Sequence, residues 1–420
     1  MRYAVFLVAA LSAGCSRATS SHSDSGERPN GNSNAELRAL FDNQHVELEE
    51  HINALTTLDP DLAKKLTQYK GSRLRFDGLT TLSPEAAYAL AGYKDDDPDN
   101  AFLLLNGLVM LSPKAAKALS EFKGYLYLNG LLRVDAPTAK SLAEFKGNAL
   151  TLGGLTTLSE EAARMLAGFR GGLLRLDGLT ELTSEPLARM LVSQANKLGY
   201  RADALPIGLI LISEEVARVL AQRRGELHLN GLTTLSIKAA EALAQHKDWQ
   251  LQLNGLKTLP EAVAKAVAVH RGNLYLDGLS AISTESAKEL AHHKGDLHLN
   301  SLATLTGEAA KALAQHRGDL YLNSLTTLTD EVAEELADHK NQLYLNGLTA
   351  LSPRAAQALK GHEGPLFVNG LTTLTDETAR VLAARQKGVV YLYGLSTLSD
   401  EAARGLWQNL LIQLPSKFRR

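Results

Sequence analysis

Six histidines recur at near-regular intervals: His246, His270, His293, His316, His339 and His362. Imidazoles in series invite a metal reading, because neutral His nitrogens are common ligands. The same column in earlier segments holds Tyr69, Tyr93, Phe122, Phe145 and Phe169. Position 93 lies seven residues after Ala86, on the core-facing stripe of a helix. The column is therefore read as an aromatic packing position occupied by His in later segments, and no metal is expected. Asp95, Asp96, Asp97 and Asp99 form an acidic run that matches no EF-hand loop and is read as solvated. Cys15 is the only cysteine, so no disulfide can form within the chain.

Catalytic constellations are not evident. The chain carries no Gly-rich phosphate loop, no G-x-S-x-G elbow and no H-E-x-x-H. Ser, His and Asp are plentiful, but they fall at recurring positions where each copy has the same structural task. The chain is read as a non-enzyme without a cofactor. Its 44 basic and 46 acidic residues leave a formal charge of −2, which gives no electrostatic reason to expect nucleic acid.

Two further columns suggest recognition. One reads Tyr275, His298, Tyr321, Tyr344, Phe367 and Tyr391, preceded by Arg75, Leu104, Tyr127, Thr151, Arg175, His228 and Gln252. Two residues on, a polar column includes Asp77, Asp177, Asp277, Asn300, Asn323, Asn346 and Asn369. Aromatic faces beside hydrogen-bonding amides suit a peptide or glycan ligand. Self-stacking is the competing explanation, since like side chains on adjacent strands stabilise one another by ~0.2–1 kcal/mol per pair. The candidate ligand-binding residues are Tyr275, His298, Tyr321, Asn323, Tyr344, Asn346, Phe367, Asn369 and Tyr391.

The element that positions these columns is a repeat. Leu279, Leu302, Leu325, Leu348 and Leu371 are each 23 residues apart, and the register extends back through Leu209 to Leu55 and on to Leu395, about fifteen units. Longer steps hold residues 95–100 and 193–206. In the unit 320–340, Leu320 and Leu322 alternate with Tyr321 and Asn323, the period-2 signal of a short strand. Leu325 and Leu328 continue the inward side. Thr329 suits a helix N-cap, followed by Asp330 and Glu331 in the first turn. Ala333, Leu336 and Ala337 mark one helical face, while Gly71, Gly124, Gly295 and Gly318 read as C-caps. A unit this small cannot bury its own apolar face, but stacked units can.

The pattern Leu320-x-Leu322-x-x-Leu325 resembles the leucine-rich repeat family over roughly residues 50–405. The resemblance implies an α/β horseshoe with its parallel sheet on the concave face, and a binding or scaffolding role. Leu325 stands where the family has its inward Asn, which implies loss of the family's buried asparagine ladder.

Residues 1–14 combine Arg2, an apolar stretch from Tyr3 to Leu11 and the small residues Ser12, Ala13 and Gly14 before Cys15. This resembles the lipobox of bacterial lipoproteins, although Ser12 stands where the family prefers Leu. The resemblance implies signal cleavage before Cys15, acylation of its thiol and anchoring to a lipid membrane of the cell envelope. Ser16, rather than Asp, after the Cys favours the outer membrane by the same analogy. Residues 15–34 read as a polar, disordered tether. A cap helix region is expected over 35–54, the solenoid over 55–405, and a cap with a basic tail over 406–420. The expected function is a membrane-anchored binding or scaffolding protein. The alternative is a glycan- or peptidoglycan-binding envelope protein or an accessory subunit of an envelope enzyme.

Overall fold

The computed structural model describes residue 34 and residues 48–69, 71–94, 100–198, 205–206 and 208–418. Residues 1–14, Cys15, the tether except residue 34, all of 35–47 and the acidic run 95–99 lie outside the described residues. So do 199–204 and the last two residues.

The chain forms the expected leucine-rich-repeat-like α/β solenoid. Short parallel strands alternate with helices of mostly seven or eight residues. In one unit, strand β12 (Leu320–Tyr321) leads through a turn to helix α13 (Asp330–Leu336), and β13 (Leu343–Tyr344) then pairs in parallel with β12. Leu320, Leu322, Leu325 and Leu336 are buried, and their equivalents in neighbouring units stack into one continuous core. Leu328 is only partly buried at its edge.

Capping explains where the helices begin. The Thr329 hydroxyl accepts from the backbone N–H of Val332, and Ser83, Ser112, Ser159, Ser236 and Ser352 do the same in their units. Such caps contribute about 1 kcal/mol each. Helix α10 (Glu261–Ala268) departs from this, with Pro260 at its N-cap and no side-chain bond.

The helices do not end on glycine as expected. Gly71, Gly124, Gly295 and Gly318 lie several residues beyond the last helical turn, and only Gly225 and Gly388 take positive φ among the described residues. At three of them the reason for glycine is close approach of successive coils. A Cβ on Gly124 would lie 2.0 Å from the Ala101 oxygen, and one on Gly295 or Gly318 would lie 2.2 Å from the preceding coil's carbonyl.

The two long steps behave differently. Across 95–100 the sheet is continuous, with Arg73 paired to Phe102 between β1 (Arg73–Arg75) and β2 (Phe102–Leu104). Across 193–206 it breaks into a five-stranded sheet ending at β5 (Leu173–Arg175) and a nine-stranded sheet starting at β8 (Leu227–His228). Only β6 (Glu181–Leu182) and β7 (Leu211–Ile212) pair between them. The Leu register runs through this region, but Pro206 stands where Leu322 stands in its own unit. Leu322 N–H donates to the Tyr344 carbonyl at 2.8 Å. Proline has no N–H to give to that ladder. At the far end the sheet continues to β16 (Ile412–Gln413), paired with β15 (Val390–Tyr391).

Candidate functional site

The strand-side aromatic column forms a single stack. Tyr275, His298, Tyr321, Tyr344, Phe367 and Tyr391 follow one another with ring centroids 3.8–4.3 Å apart and interplanar angles of 3–13°. Strand register imposes this order, because Tyr275 pairs with His298, His298 with Tyr321 and Tyr321 with Tyr344. Each interior ring spends both faces on its neighbours. Ring edges and the tyrosine hydroxyls are therefore what the inner surface can offer a partner. Burial raises the pKa of Tyr275 and Tyr321, with neighbouring carboxylates adding to the effect, so both phenols are neutral.

Curvature can be read from ring spacing. Near the helices, the six-histidine column repeats at 6.0–6.3 Å, against about 4 Å on the strand side. The coils fan outward from sheet to helices, which places the aromatic stack on the concave side.

The polar column serves differently from the expectation. Asn323, Asn346 and Asn369 are half-buried, and their side-chain oxygens point along the stack. Asn300 Oδ1 accepts from Asn323 N–H at 3.4 Å, Asn323 Oδ1 from Asn346 N–H at 3.0 Å, and Asn369 Oδ1 from Tyr393 N–H at 2.9 Å. Asn129, Asn254 and Asp277 act likewise in other coils. The expected loss of an amide ladder is thus corrected. Leu325 displaces it from its own position, and the residue two earlier builds it, because the chain turns out of the strand there and aims that side chain at the next coil. The acceptor oxygens of these asparagines are committed to the fold.

Sequence reasoning missed a second ladder on the other flank of the aromatic stack. Asn273, Asp296 and Asp319 each accept through Oδ1 from the backbone N–H of the next coil, at 3.1–3.2 Å. Their 23-residue spacing was the available signal. Arg75 and Arg175 of the aromatic column pair with Asp77 and Asp177 two residues on, at 2.5 and 3.0 Å.

The inner histidine column is buried and parallel. His246 nitrogens lie 3.3 and 2.9 Å from the carbonyls of Ala221 and Gly225, and His293 Nδ1 lies 3.2 Å from that of Ala268. The rings continue the spacing of Tyr93–Phe122 and Phe145–Phe169, 6.4 and 6.2 Å, so His and Phe fill equivalent places. Parallel rings stepping along an axis do not converge on one point, as ligands of one ion must. Burial, with repulsion from neighbouring imidazoles, pushes His270 and His316 down to about 4. His362 falls to about 4 through burial, with His339 and Arg385 adding to the shift.

No protein-family model matches the chain, and no curated protein matches it. Among solved structures, it is similar to a leucine-rich repeat protein of Leptospira interrogans at 20% identity, covering 84% of this chain and 94% of that one, with a TM-score of 0.36. It is also similar to an internalin from Listeria monocytogenes at 14% identity, covering 92% and 95%, with a TM-score of 0.31. Likenesses this distant carry no statement about activity or partners. The fold rests on the pairing and burial described above.

Proposed function

We propose that the chain is a non-enzymatic, protein-binding scaffold held at a bacterial envelope membrane through acylated Cys15, with the concave strip from Tyr275 to Tyr391 as its partner surface. The observation that carries the reading is the continuous row of six stacked rings on an open inner face. Rigid aromatic side chains bind at little entropy cost, and here their edges and hydroxyls form one unbroken strip for a partner. The stack is pre-ordered by strand pairing, so binding need not order it again. A glycan partner is the second reading, favoured by the tyrosine hydroxyls and amide groups along the same strip.

The test separates binding from stacking. Tyr321→Phe with Tyr344→Phe keeps both rings and removes both hydroxyls; the Tyr344 hydroxyl otherwise lies 3.0 Å from Gln342 Oε1. The pair is expected to leave the thermal transition within ~0.5 kcal/mol. It is expected to weaken a partner captured from native envelope by about tenfold. An unchanged affinity with an unchanged fold would show that the strip serves packing alone.

Anchoring has its own test. Among the described residues, no helix is long and apolar enough to cross a membrane. One acyl chain binds only marginally, whereas two or more hold stably. Wild-type chain is expected in the detergent phase of a phase separation, and Cys15→Ala in the aqueous phase, unprocessed or secreted. Wild-type protein in the aqueous phase would refute the anchor.

A further inference from the structure

One contact in the aromatic stack differs chemically from the others. His298 separates Tyr275 from Tyr321, and Phe367 separates Tyr344 from Tyr391. Within the stack only Tyr321 and Tyr344 are neighbouring phenols, with ring centroids 4.0 Å apart and an interplanar angle of 7°. The backbone holds them in this relation. Tyr321 pairs with Tyr344 in register, and the Leu322 N–H donates to the Tyr344 carbonyl at 2.8 Å. His298 and Phe367 cover the outer faces of the two rings at 3.9 and 4.2 Å, so neither ring turns away without losing a second contact.

A phenol gives up an electron with its proton far more readily than an imidazole or a benzene ring gives up an electron. A radical formed in the stack therefore settles on tyrosine. Its unpaired electron lies in the π system, with much of its density on the Cε carbons beside the oxygen. Those orbitals stand perpendicular to the ring, so parallel stacked rings present them to each other. Tyr391 and Tyr393 also touch, but at 5.8 Å and 55°, which turns the orbitals of one ring away from the other.

We propose that Tyr321 and Tyr344 form an oxidative modification site, at which a one-electron oxidant joins their Cε carbons into a dityrosine cross-link between consecutive coils. Two equivalents of oxidant each take one electron, and each phenol releases one proton to water at the open inner face. The two radicals combine in a single C–C bond. Each bonded Cε then passes its hydrogen, through water, to the oxygen of its own ring, which restores both aromatic rings. The product has lost two hydrogens. Burial, with the Tyr344 hydroxyl adding to it, raises the pKa of Tyr321, so the neutral phenol is the form that reacts. The Tyr344 hydroxyl lies 3.0 Å from Gln342 Oε1, which fixes its position at the edge of the strip. None of this depends on the strip being a partner surface.

The experiment illuminates the full chain briefly, dilute and in mild detergent, with tris(bipyridine)ruthenium(II) and with persulfate as the terminal electron acceptor. Trypsin cuts after Lys340 and separates the two tyrosines unless they are joined. Wild type is expected to give dityrosine fluorescence and a joined peptide pair linking Tyr321 to Tyr344. The folded chain should give at least about tenfold more of that pair than the same chain in urea, where proximity is lost. Tyr344→Phe keeps the stacked ring and should abolish the pair, whereas Tyr391→Phe should leave it unchanged. Tyr321→Phe with Phe367→Tyr should move the link to residue 367 and a tyrosine beside it. The proposal fails if folded wild type lacks the joined pair, if urea does not reduce its yield, or if links form only between separate molecules. Fluorescence undiminished in Tyr344→Phe would also overturn it.

Discussion

As pH falls from 6.5 to about 4, the C-terminal repeats are expected to unfold while the N-terminal repeats remain folded. The cause is the buried imidazole column. His270, His316 and His362 are depressed from 6.5 to about 4 in the fold, chiefly by burial. Above 6.5 both folded and unfolded chains hold these rings neutral, and pH does not matter. Between the two values the unfolded chain binds the protons and the folded chain does not. Stability is therefore lost as pH falls, and each such group accounts for about 3 kcal/mol by the bottom of the window. His293 and His339 are also lowered and add in the same direction. Asp296 opposes the effect at His293, while Arg385 strengthens it at His362.

Three such groups together exceed the net stability of many domains. Phe122, Phe145 and Phe169 carry no such liability in the N-terminal repeats. Glu121 and Glu144 there are held below 4.5 by surface lysines, so their contribution survives until the pH drops beneath that value. Hydrogen exchange mapped by coil against pH checks the claim. His316→Phe should shift the acid midpoint downward and leave the neutral-pH transition nearly unchanged. Coincident loss of both halves, or no response to His316→Phe, would contradict it.

Arg385→Ala is expected to strip the last coils from an otherwise intact solenoid. Arg385 continues the histidine column and is 3% exposed. Its guanidinium donates to the carbonyls of Leu359, His362, Gly364 and Gly388 at 2.6–3.2 Å. Burial pulls its pKa down to about 10, so it is still charged at neutral pH. Its removal leaves several buried carbonyls without a donor, a loss on the order of 3–5 kcal/mol. In a stacked repeat the damage stays near its origin, since each coil contacts only its neighbours. Amide protection should vanish at Leu366, Val390 and Ile412 and persist at Leu274 and Leu297. Arg385→Lys should restore only part of it, because a single ammonium cannot reach the same set of acceptors. A uniform loss along the whole stack would show that the coils do not act as separable units.

The repeat, its caps and its inward leucines were legible in the sequence because each depends on local periodicity. Leu320, Leu322 and Leu325 alternate as a strand and turn require, and Thr329 announces a helix whatever surrounds it. The aromatic column was legible too, since equal spacing in a parallel stack brings equal positions into contact. The surroundings of those residues could not be read from one unit. Whether Asn323 faces solvent or the next coil depends on how the backbone turns after Leu322, and that turn is set by the neighbour it bonds. Gly295 looks like a helix cap until the preceding coil's carbonyl is placed 2.2 Å from where its Cβ would sit. Pro206 occupies an unremarkable place in the Leu register, yet the sheet breaks where its missing N–H would have bonded. Charge was the last quantity to emerge. Asp77, Asp177 and Asp277 are identical letters in one column, and only the side chain two residues earlier, brought alongside by the strand, decides which of them is neutralised.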